Sequence, residues 1–382
     1  MVVSCRGFMF MSILLLASLL YTTTLLFPSL FLLIIPPPFF IKSRRCYRRW
    51  TGFVGYLFFA MAAYLLESFC QIKVKISGDV VPYGESAIII CNHRTRVDWM
   101  FLWCLCLQQG QLSGLKIVLK ESLKSVPGFG WAAQIFLFVF LARNKSKDVR
   151  RVREISDYLV RLKVPTTLLI FPEGTDLSQS NHQKSLEFAK KEGLTEYQYV
   201  LHPKVRGFVE CLQALRPGLD AVHDVTIAYH DYAEGSRPSE KSLLGGYFPK
   251  EVHMHVRRHS IHELSSSDEG LQEWCRGAFK DKEVRLKSFY EGKRAFNAEP
   301  QGSRIESMNA YSRRNGRMAF LFFVAMVLLA VCYGGTVLGL YALWAMSCLT
   351  LWTAFVGLDT AELFFAGSAL RSVRGLGELK QE

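Results

Sequence analysis

Two long stretches without a charged residue constrain this chain more than any other feature. No Asp, Glu, Lys or Arg occurs in residues 7–41, and none occurs in residues 318–358. A helix that crosses a bilayer needs about 20 apolar residues, so each stretch is long enough to span. Of the 382 residues, 50% are hydrophobic. The sequence therefore predicts an integral membrane protein with apolar anchors near both ends.

The N-terminal stretch differs from a cleavable secretory signal. Its apolar core is longer than the roughly 7–15 residues of such a signal, and no small-x-small cleavage site closes it. We expect a retained signal anchor that is ended or kinked at Pro28 and at 36–38. Residues 51–70 are also apolar, with Glu67 as their only charge. We interpret them as a membrane-embedded or interfacial arm of a hairpin.

The C-terminal stretch is long enough for two short crossings. Gly334 and Gly335, or Gly339, offer a turn between them, which favours a hairpin over one long tilted helix. The predicted organisation is a membrane anchor and second apolar segment over 1–70, a globular domain over 71–295, a basic linker over 296–317, membrane segments over 318–358 and a tail over 359–382.

The net charge of +13 is concentrated beside the apolar stretches. Basic residues at the membrane boundary indicate a cytosolic flank and suit contact with anionic headgroups. The chain contains no nucleic-acid reader motif, so we exclude nucleic acid as a partner. The flanking basic residues are Lys42, Arg44, Arg45, Arg48 and Arg49 after the first stretch, and Arg313, Arg314 and Arg317 before the last.

Neither the cysteines nor the histidines form a recognisable structural framework. The ten cysteines include no Cys-x-x-Cys pair, which favours buried or lipid-facing thiols over disulfides. Four histidines crowd one segment, but no third clear ligand completes a zinc site beside His253 and His255. We therefore predict no metal and treat these histidines as structural or surface residues. The four are His253, His255, His259 and His262.

The central residues 71–295 alternate between short apolar runs and helix-like stretches. This alternation predicts an α/β domain with a mostly parallel, buried sheet and flanking helices. The predicted strands are 87–91, 116–119, 136–142, 166–171, 222–229 and 251–256, and the predicted helices are 98–107, 148–162, 185–191 and 267–290.

An imidazole and a carboxylate follow the first buried run of this domain. His93 precedes Asp98 by five residues, and Asp98 falls in the first turn of a predicted helix, from which it reaches back to His93. Such a pair removes a proton from a hydroxyl at neutral pH. No Gly-x-Ser-x-Gly nucleophile is present, so the substrate's own hydroxyl is the expected nucleophile. The alternative is a turn histidine with Asp98 as a helix N-cap.

A second cluster, Glu173, Gly174 and Thr175, closes the run at 166–171. Gly174 permits close backbone approach, and Thr175 with neighbouring N–H groups can hold a phosphate or a hydroxyl. An ordinary turn at the end of a strand is the alternative.

Together, the two clusters resemble the glycerolipid acyltransferase superfamily, with its His-x4-Asp and Pro-Glu-Gly-Thr motifs. The resemblance covers residues 72–295 and implies an acyltransferase fold with terminal membrane helices. It implies that His93 is the general base, that Asp98 orients it, and that Glu173, Gly174 and Thr175 bind substrate. The acceptor alkoxide would attack acyl-coenzyme A, a co-substrate, without a metal, another cofactor or a covalent acyl-enzyme.

Two smaller motifs extend the resemblance. Arg143 would bind a lipid or coenzyme A phosphate, and Pro203 would shape the acyl pocket. Phosphatidic-acid-forming members usually have arginine after Glu-Gly-Thr, whereas this chain has Asp176. A carboxylate repels a dianionic monoester more than a phosphodiester. The chain is thus most similar to the branch that acylates lysocardiolipin and related lipids such as lysophosphatidylinositol and lysophosphatidylglycerol.

Alternative functions remain open at this point. The first is phosphatidic acid synthesis from 1-acylglycerol-3-phosphate, the second is coenzyme-A-independent transacylation, and the third is a non-catalytic membrane scaffold. The resemblance implies residence in the endoplasmic reticulum membrane with a cytosolic catalytic domain. Asn144 begins a glycosylation sequon, which would stay unmodified in that orientation.

Overall fold

The computed structural model describes the chain in seven ranges, and the fold is given for these alone: 3–34, 40–142, 145–230, 237–292, 294–296, 302–360 and 362–363. A seven-stranded sheet in the order β1-β7-β6-β2-β5-β3-β4 forms its centre. The strands are β1 (Lys73–Gly78), β2 (Ala87–Cys91), β3 (Leu115–Lys120), β4 (Val139–Leu141), β5 (Thr167–Ile170), β6 (Ala221–His230) and β7 (Glu251–Ser260).

The sheet is parallel except for one pair, β6 and β7, which run antiparallel. All five residues of β2 are buried, as a continuous apolar run in a parallel sheet requires. This confirms the predicted mostly parallel α/β fold. In β2, Ile89 pairs with Leu169 of β5 on one side and with His223 of β6 on the other. The loops that follow β2 and β5 therefore leave the same edge of the sheet.

Twelve α-helices surround this sheet in the described ranges. They are α1 (Cys5–Tyr21), α2 (Phe27–Ser29), α3 (Phe40–Tyr64), α4 (Asp98–Gln108), α5 (Phe129–Ile135), α6 (Lys145–Leu162), α7 (Gln179–Glu192), α8 (Val205–Leu215), α9 (Glu240–Leu244), α10 (Asp268–Glu291), α11 (Gly302–Tyr333) and α12 (Gly335–Phe355).

Three of the differences between the predicted and the observed elements have a clear cause or signal in the sequence. The strand expected over 136–142 is reduced to β4, because Phe136 caps α5 and Leu137 adopts a φ of 57°. The edge strand β1 was missed, since its exposed lysines break the apolar pattern. Helix α8 was also missed, although its buried residues recur at helical spacing along one face.

The alternation of side chains along β2 separates two apolar cores. Ile89 and Cys91 belong to the core that includes α1, α3, α4 and the last two helices. Ile88 and Ile90 belong to the core beneath α6, α8 and α10. The sheet thus has a face directed at the apolar helices and a face covered by the helices of the globular domain.

Four helical stretches are long and apolar enough to cross a membrane, by length and composition: Cys5–Leu33, Ser43–Phe69, Asn309–Tyr333 and Gly335–Phe355. The last two are mostly exposed and separate at Gly334, whereas Ser43–Phe69 is more than half buried. Near the start of α3, the Arg48 guanidinium donates to the Ile135 carbonyl at 2.7 Å. Beyond its far end, the Phe69 carbonyl accepts from Arg6. These contacts join α3 to α5 and to α1, and the interfacial interpretation of residues 51–70 stays a prediction.

Candidate active site

His93 lies at the carboxyl edge of β2, in the loop that leads into α4, and Asp98 is the first residue of α4. The Nδ1 atom of His93 is 3.0 Å from Oδ2 of Asp98. The Asp98 side chain is fully buried, while the His93 side chain keeps 17% of its surface exposed. With Nδ1 directed at the carboxylate, Nε2 on the opposite edge of the ring remains for a substrate. Val97, rather than Asp98, is the N-cap residue of α4.

The Asp98 carboxylate is held by three further donors. The Tyr229 hydroxyl donates to Oδ1 at 2.5 Å, and the Thr95 hydroxyl donates to the same oxygen at 3.2 Å. The Thr95 N–H donates to Oδ2 at 2.9 Å. A carboxylate fixed by this many donors cannot rotate away from the imidazole. It therefore sets both the ring orientation and the tautomer with hydrogen on Nδ1.

The surroundings of His93 shift the pKa of its imidazole in both directions. Burial lowers the pKa of its imidazole, but the hydrogen bond and charge of Asp98 raise it, with smaller contributions from Glu173 and Asp176. The net direction of the His93 pKa is upward. The ring also stacks on Phe171, with centroids 4.2 Å apart. A raised pKa makes the neutral imidazole a better proton acceptor, while a smaller fraction of it is neutral at a given pH.

The Glu173 side chain connects its own loop, which follows β5, with the loop that follows β2 and with the segment around Leu201. Its Oε1 accepts the His93 N–H at 2.8 Å, and its Oε2 accepts the Leu201 N–H at 3.1 Å. Burial raises the pKa of this carboxyl to about 7, although both backbone hydrogen bonds act in the opposite direction. Glu173 was predicted to bind substrate. That role stays a prediction; in the structure both carboxylate oxygens accept backbone N–H groups, one of which is that of His93.

The remaining residues of the second motif, Gly174 and Thr175, lie in the loop that follows β5. Gly174 has a φ of +72°, and a Cβ there would lie 3.2 Å from the Lys204 side chain, so glycine suits this position on both counts. The Thr175 hydroxyl accepts from the Asn181 amide at 2.8 Å. Pro203 precedes Lys204, whose N–H donates to the Pro172 carbonyl at 2.7 Å. The structure thus brings Pro203 to the Glu173 loop.

Asp176 faces the first motif loop. Its Oδ1 is 3.7 Å from Nε of Arg96, whose side chain is 72% exposed. The neighbouring Leu177 N–H donates to the His93 carbonyl at 2.8 Å, which joins the two loops directly. The predicted phosphate ligand Arg143 lies outside the described residues.

Sequence reasoning missed three participants in this site: Tyr229, Lys204 and Arg96. Tyr229 ends a predicted strand, so its place at the carboxyl edge of the sheet was the available signal. Lys204 directly follows the predicted Pro203, and Arg96 lies within the first motif. Their contacts cross between loops that are distant in sequence, which local pattern does not encode.

No set of three or more His, Cys, Asp or Glu side chains is placed to hold a metal ion within the described ranges. In the histidine-rich segment, His253 Nε2 is 2.9 Å from Glu251 Oε2, and His255 Nδ1 is 3.2 Å from the Ser77 hydroxyl. These two histidines therefore have partners of their own on β1 and β7.

Comparison with known proteins gives matches over the same region. Residues 73–230 match the family model for an acyltransferase, and residues 242–323 match the model for an acyltransferase C-terminus. Lysocardiolipin acyltransferase 1 of Mus musculus is 48% identical over 61% of this chain and 62% of its own length. The probable 1-acyl-sn-glycerol-3-phosphate acyltransferase 5 of Arabidopsis thaliana is 38% identical over 65% of this chain and 64% of its own.

Lysophosphatidylinositol acyltransferase 10 of Caenorhabditis elegans is 37% identical over 61% of this chain and 60% of its own length. The chain thus spans about three fifths of the curated relatives that it matches. The two family models together take in more than half of the chain, and both motif loops lie within the first of them. The chain belongs to the glycerolipid acyltransferase family.

Proposed function

We propose that this protein is an acyl-coenzyme A:lysophospholipid O-acyltransferase that acts at a membrane surface. The observation that carries the proposal is the His93 imidazole, held 3.0 Å from a fully buried Asp98 at the sheet edge. Within its described ranges, the same chain carries four helices that are long and apolar enough to cross a membrane. Both proposed substrates are amphiphiles, so an enzyme anchored in the membrane meets them where they concentrate.

The proposed reaction requires only one base. Nε2 of His93 takes the proton of the acceptor hydroxyl as that oxygen attacks the thioester carbonyl. Collapse of the tetrahedral intermediate breaks the carbon–sulfur bond, and the imidazolium returns its proton to the departing thiolate. Asp98 stabilises the imidazolium between these steps. The products are the esterified lipid and coenzyme A, and His93 is restored.

A narrow apolar cavity that begins near the His93–Asp98 pair supports the proposal of an acyl substrate. It reaches Trp99, the residue after Asp98, and its other walls come from α1 and the turn that follows it, from α3, and from α5 and the segment between α5 and β4. Phe58, Phe129 and Phe136 contribute aromatic faces, while Ala132 and Ala133 leave space between them. We assign the acyl chain of the thioester to this cavity because the lining is almost wholly apolar.

The acceptor is proposed to be an anionic lysophospholipid with a phosphodiester: lysocardiolipin, lysophosphatidylinositol or lysophosphatidylglycerol. Asp176 contributes to the upward direction of the His93 pKa, so its charge acts at the reaction centre. A dianionic monoester suffers more repulsion there than a monoanionic diester does. Arg96, at 3.7 Å from Asp176, offers an exposed guanidinium to the single diester charge.

Phosphatidic acid synthesis is the second candidate function. It is favoured by the relative from Arabidopsis thaliana, whose name describes a probable 1-acyl-sn-glycerol-3-phosphate acyltransferase. We further propose the endoplasmic reticulum membrane as the location, with the globular domain on the cytosolic side. The basic residues beside the apolar stretches support this orientation.

A panel of acceptors tests the proposal. Purified protein in lipid nanodiscs would receive one acyl-coenzyme A and, separately, monolysocardiolipin, lysophosphatidylinositol, lysophosphatidylglycerol or lysophosphatidic acid. Empty nanodiscs set the background. We expect faster transfer to at least one of the three diesters than to lysophosphatidic acid, and no transfer without acyl-coenzyme A. A preference for lysophosphatidic acid would instead establish the second candidate. Transfer without the thioester would indicate transacylation, and no transfer to any acceptor would favour a scaffold.

A further inference from the structure

The residues that follow α12 turn back and enter the globular domain. The α12 helix ends where the N–H groups of Val356 and Gly357 both donate to the Trp352 carbonyl, at 3.0 and 2.9 Å. Gly357 has a φ of +81°, which favours glycine. Residues 357–360 and 362–363 are called the C-terminal clasp here, and the tail predicted over 359–382 would begin within it. Leu358, Asp359 and Glu362 are buried.

Asp359 joins two separate parts of the domain. Its side chain is fully buried, and its Oδ2 is 3.1 Å from the Lys124 ammonium. The same oxygen forms an ion pair with the Arg151 guanidinium. Lys124 lies in the turn before α5, whereas Arg151 lies on α6. One carboxylate from the end of the last apolar helix therefore holds both elements.

Glu362 makes a second buried junction. Its Oε2 is 2.7 Å from Nη2 of Arg48, and its Oε1 accepts the Tyr158 hydroxyl at 2.6 Å. The same Arg48 nitrogen donates to the carbonyl of Ile135, the last residue of α5, at 2.7 Å. This junction connects α3, α5 and α6 through one carboxylate.

The cost of burying these charges indicates a geometric role. The attraction between two buried ions offsets the free energy of their desolvation only when the geometry is good and further hydrogen bonds are present. Apolar residues at the same positions often stabilise a core equally well. Charged groups at such positions specify one arrangement, because any displacement leaves a buried charge without its partner. The clasp thus fixes where its partners lie, at the turn before α5 through Lys124 and at the last residue of α5 through Arg48.

Helix α5 also forms a wall of the apolar cavity. Its buried Gln134 accepts the Leu358 N–H at 3.0 Å and donates to the Gly130 carbonyl at 3.2 Å. From the same helix, Phe129, Ala132 and Ala133 line the cavity. The ring of Phe129 lies 5.9 Å from that of Trp99, beside the catalytic Asp98. Contacts therefore run without a gap from the clasp, through α5, to the cavity.

We propose that Asp359 and Glu362 are positioning residues that set the acyl-chain selectivity of the enzyme by fixing α5 as a wall of the apolar cavity. This inference rests on the proposed function, because it concerns the acyl chain of that reaction. Neither carboxylate touches the reacting atoms. Their effect is on which chain lengths fit, not on proton transfer at His93.

The test compares chain-length profiles of isosteric variants. Asp359→Asn and Glu362→Gln remove one charge each, and Asp157→Asn, at an exposed position on α6, is the matched control. Purified proteins in nanodiscs receive lauroyl- and palmitoyl-coenzyme A with one acceptor. Each buried methylene adds to binding, so a displaced wall is expected to change the ratio of the two rates by about tenfold. Asp157→Asn keeps the wild-type ratio.

Hydrogen exchange provides a readout that does not depend on activity. In the two clasp variants, amides of α5 are expected to exchange about tenfold faster than in wild type, because local opening is easier. If the carboxylate variants do not fold, Gln134→Leu keeps both charged junctions and removes the link to Leu358, and the same criteria apply.

A changed ratio supports the inference. An unchanged ratio, or an equal loss with both donors, overturns it, because a purely structural role weakens all donors alike. If wild type transfers no acyl group to any acceptor, the proposed function fails by itself. The exchange rates of α5 would then still decide whether the clasp holds this helix.

Discussion

The two fully buried aspartates Asp98 and Asp359 differ in the partners of their carboxylates. Asp98 is surrounded by a histidine, a tyrosine hydroxyl and a threonine, whereas Asp359 is paired with a lysine and an arginine. An imidazole changes charge near neutral pH, and a guanidinium does not. The partner, not the burial, therefore decides whether a buried carboxylate supports chemistry or fixes geometry. Substitutions at and around these two aspartates are expected to separate an effect on the reaction from an effect on stability.

Removing the charge of Asp98 is expected to have the largest effect among these variants. In Asp98→Asn, the amide no longer holds the tautomer of His93 with hydrogen on Nδ1, and we expect a loss of about 10²–10⁴-fold in kcat/KM. Asp98 also raises the pKa of His93, so any residual rate is expected to reach its plateau at lower pH. A pH profile of kcat/KM checks both points, and an unshifted profile at full activity would break the contrast.

Removing the charge of Asp359 is expected to affect stability instead. Breaking one side of a buried ion pair costs about 3–5 kcal/mol, since Lys124 and Arg151 keep their charges. Thermal unfolding in nanodiscs is expected to show a lower midpoint for Asp359→Asn. The pH at which kcat/KM reaches half its plateau stays where wild type has it. A shift of that pH would show that the clasp acts on His93 directly.

Tyr229→Phe tests how the donors around Asp98 affect the His93–Asp98 pair. The variant removes one donor to Asp98 and is expected to cost about tenfold in kcat/KM, as for a hydrogen bond to a charged group. With one donor fewer, the carboxylate interacts more strongly with the imidazolium, so the pKa of His93 rises further. The ascending limb of the pH profile then moves to higher pH. A move to lower pH would contradict this account of the Asp98 network.

Asp176→Asn is expected to have the smallest effect, and on selectivity rather than rate. Removing this carboxylate, which is 18% exposed, weakens the repulsion of a phosphate monoester, so the ratio of transfer to lysophosphatidic acid over monolysocardiolipin rises about threefold to tenfold. Parallel assays with both acceptors measure this ratio. The companion Arg96→Gln is expected to lower transfer to monolysocardiolipin. An unchanged ratio in Asp176→Asn would remove Asp176 from the account of selectivity.

The sequence predicts that the two motif loops meet at one edge of the sheet, because the information for this is local. His93 and Glu173 each follow a continuous apolar run, and parallel strands bring the ends of β2 and β5 to one edge. The alternation of strands and helices likewise predicts the sheet. Edge strand β1 escapes this logic, since a half-exposed edge does not need a continuous apolar run.

The clasp could not be predicted in the same way. Asp359 lies more than 200 residues from both Lys124 and Arg151, and its neighbours in sequence give a short, mixed segment without periodicity. From the sequence alone, a charged residue in such a segment is predicted to be exposed to solvent, because only tertiary contacts bury it. The link between Tyr229 and Asp98, 131 residues apart, is hidden for the same reason.

The most direct test of the central claim compares wild type with His93→Ala in one assay. Both purified proteins would receive palmitoyl-coenzyme A and monolysocardiolipin, and their thermal midpoints would be matched first. The account predicts transfer by wild type and a loss of about 10²–10⁴-fold in His93→Ala, with the protein still folded. Folded His93→Ala protein that retained wild-type transfer would contradict the assignment of His93 as the base.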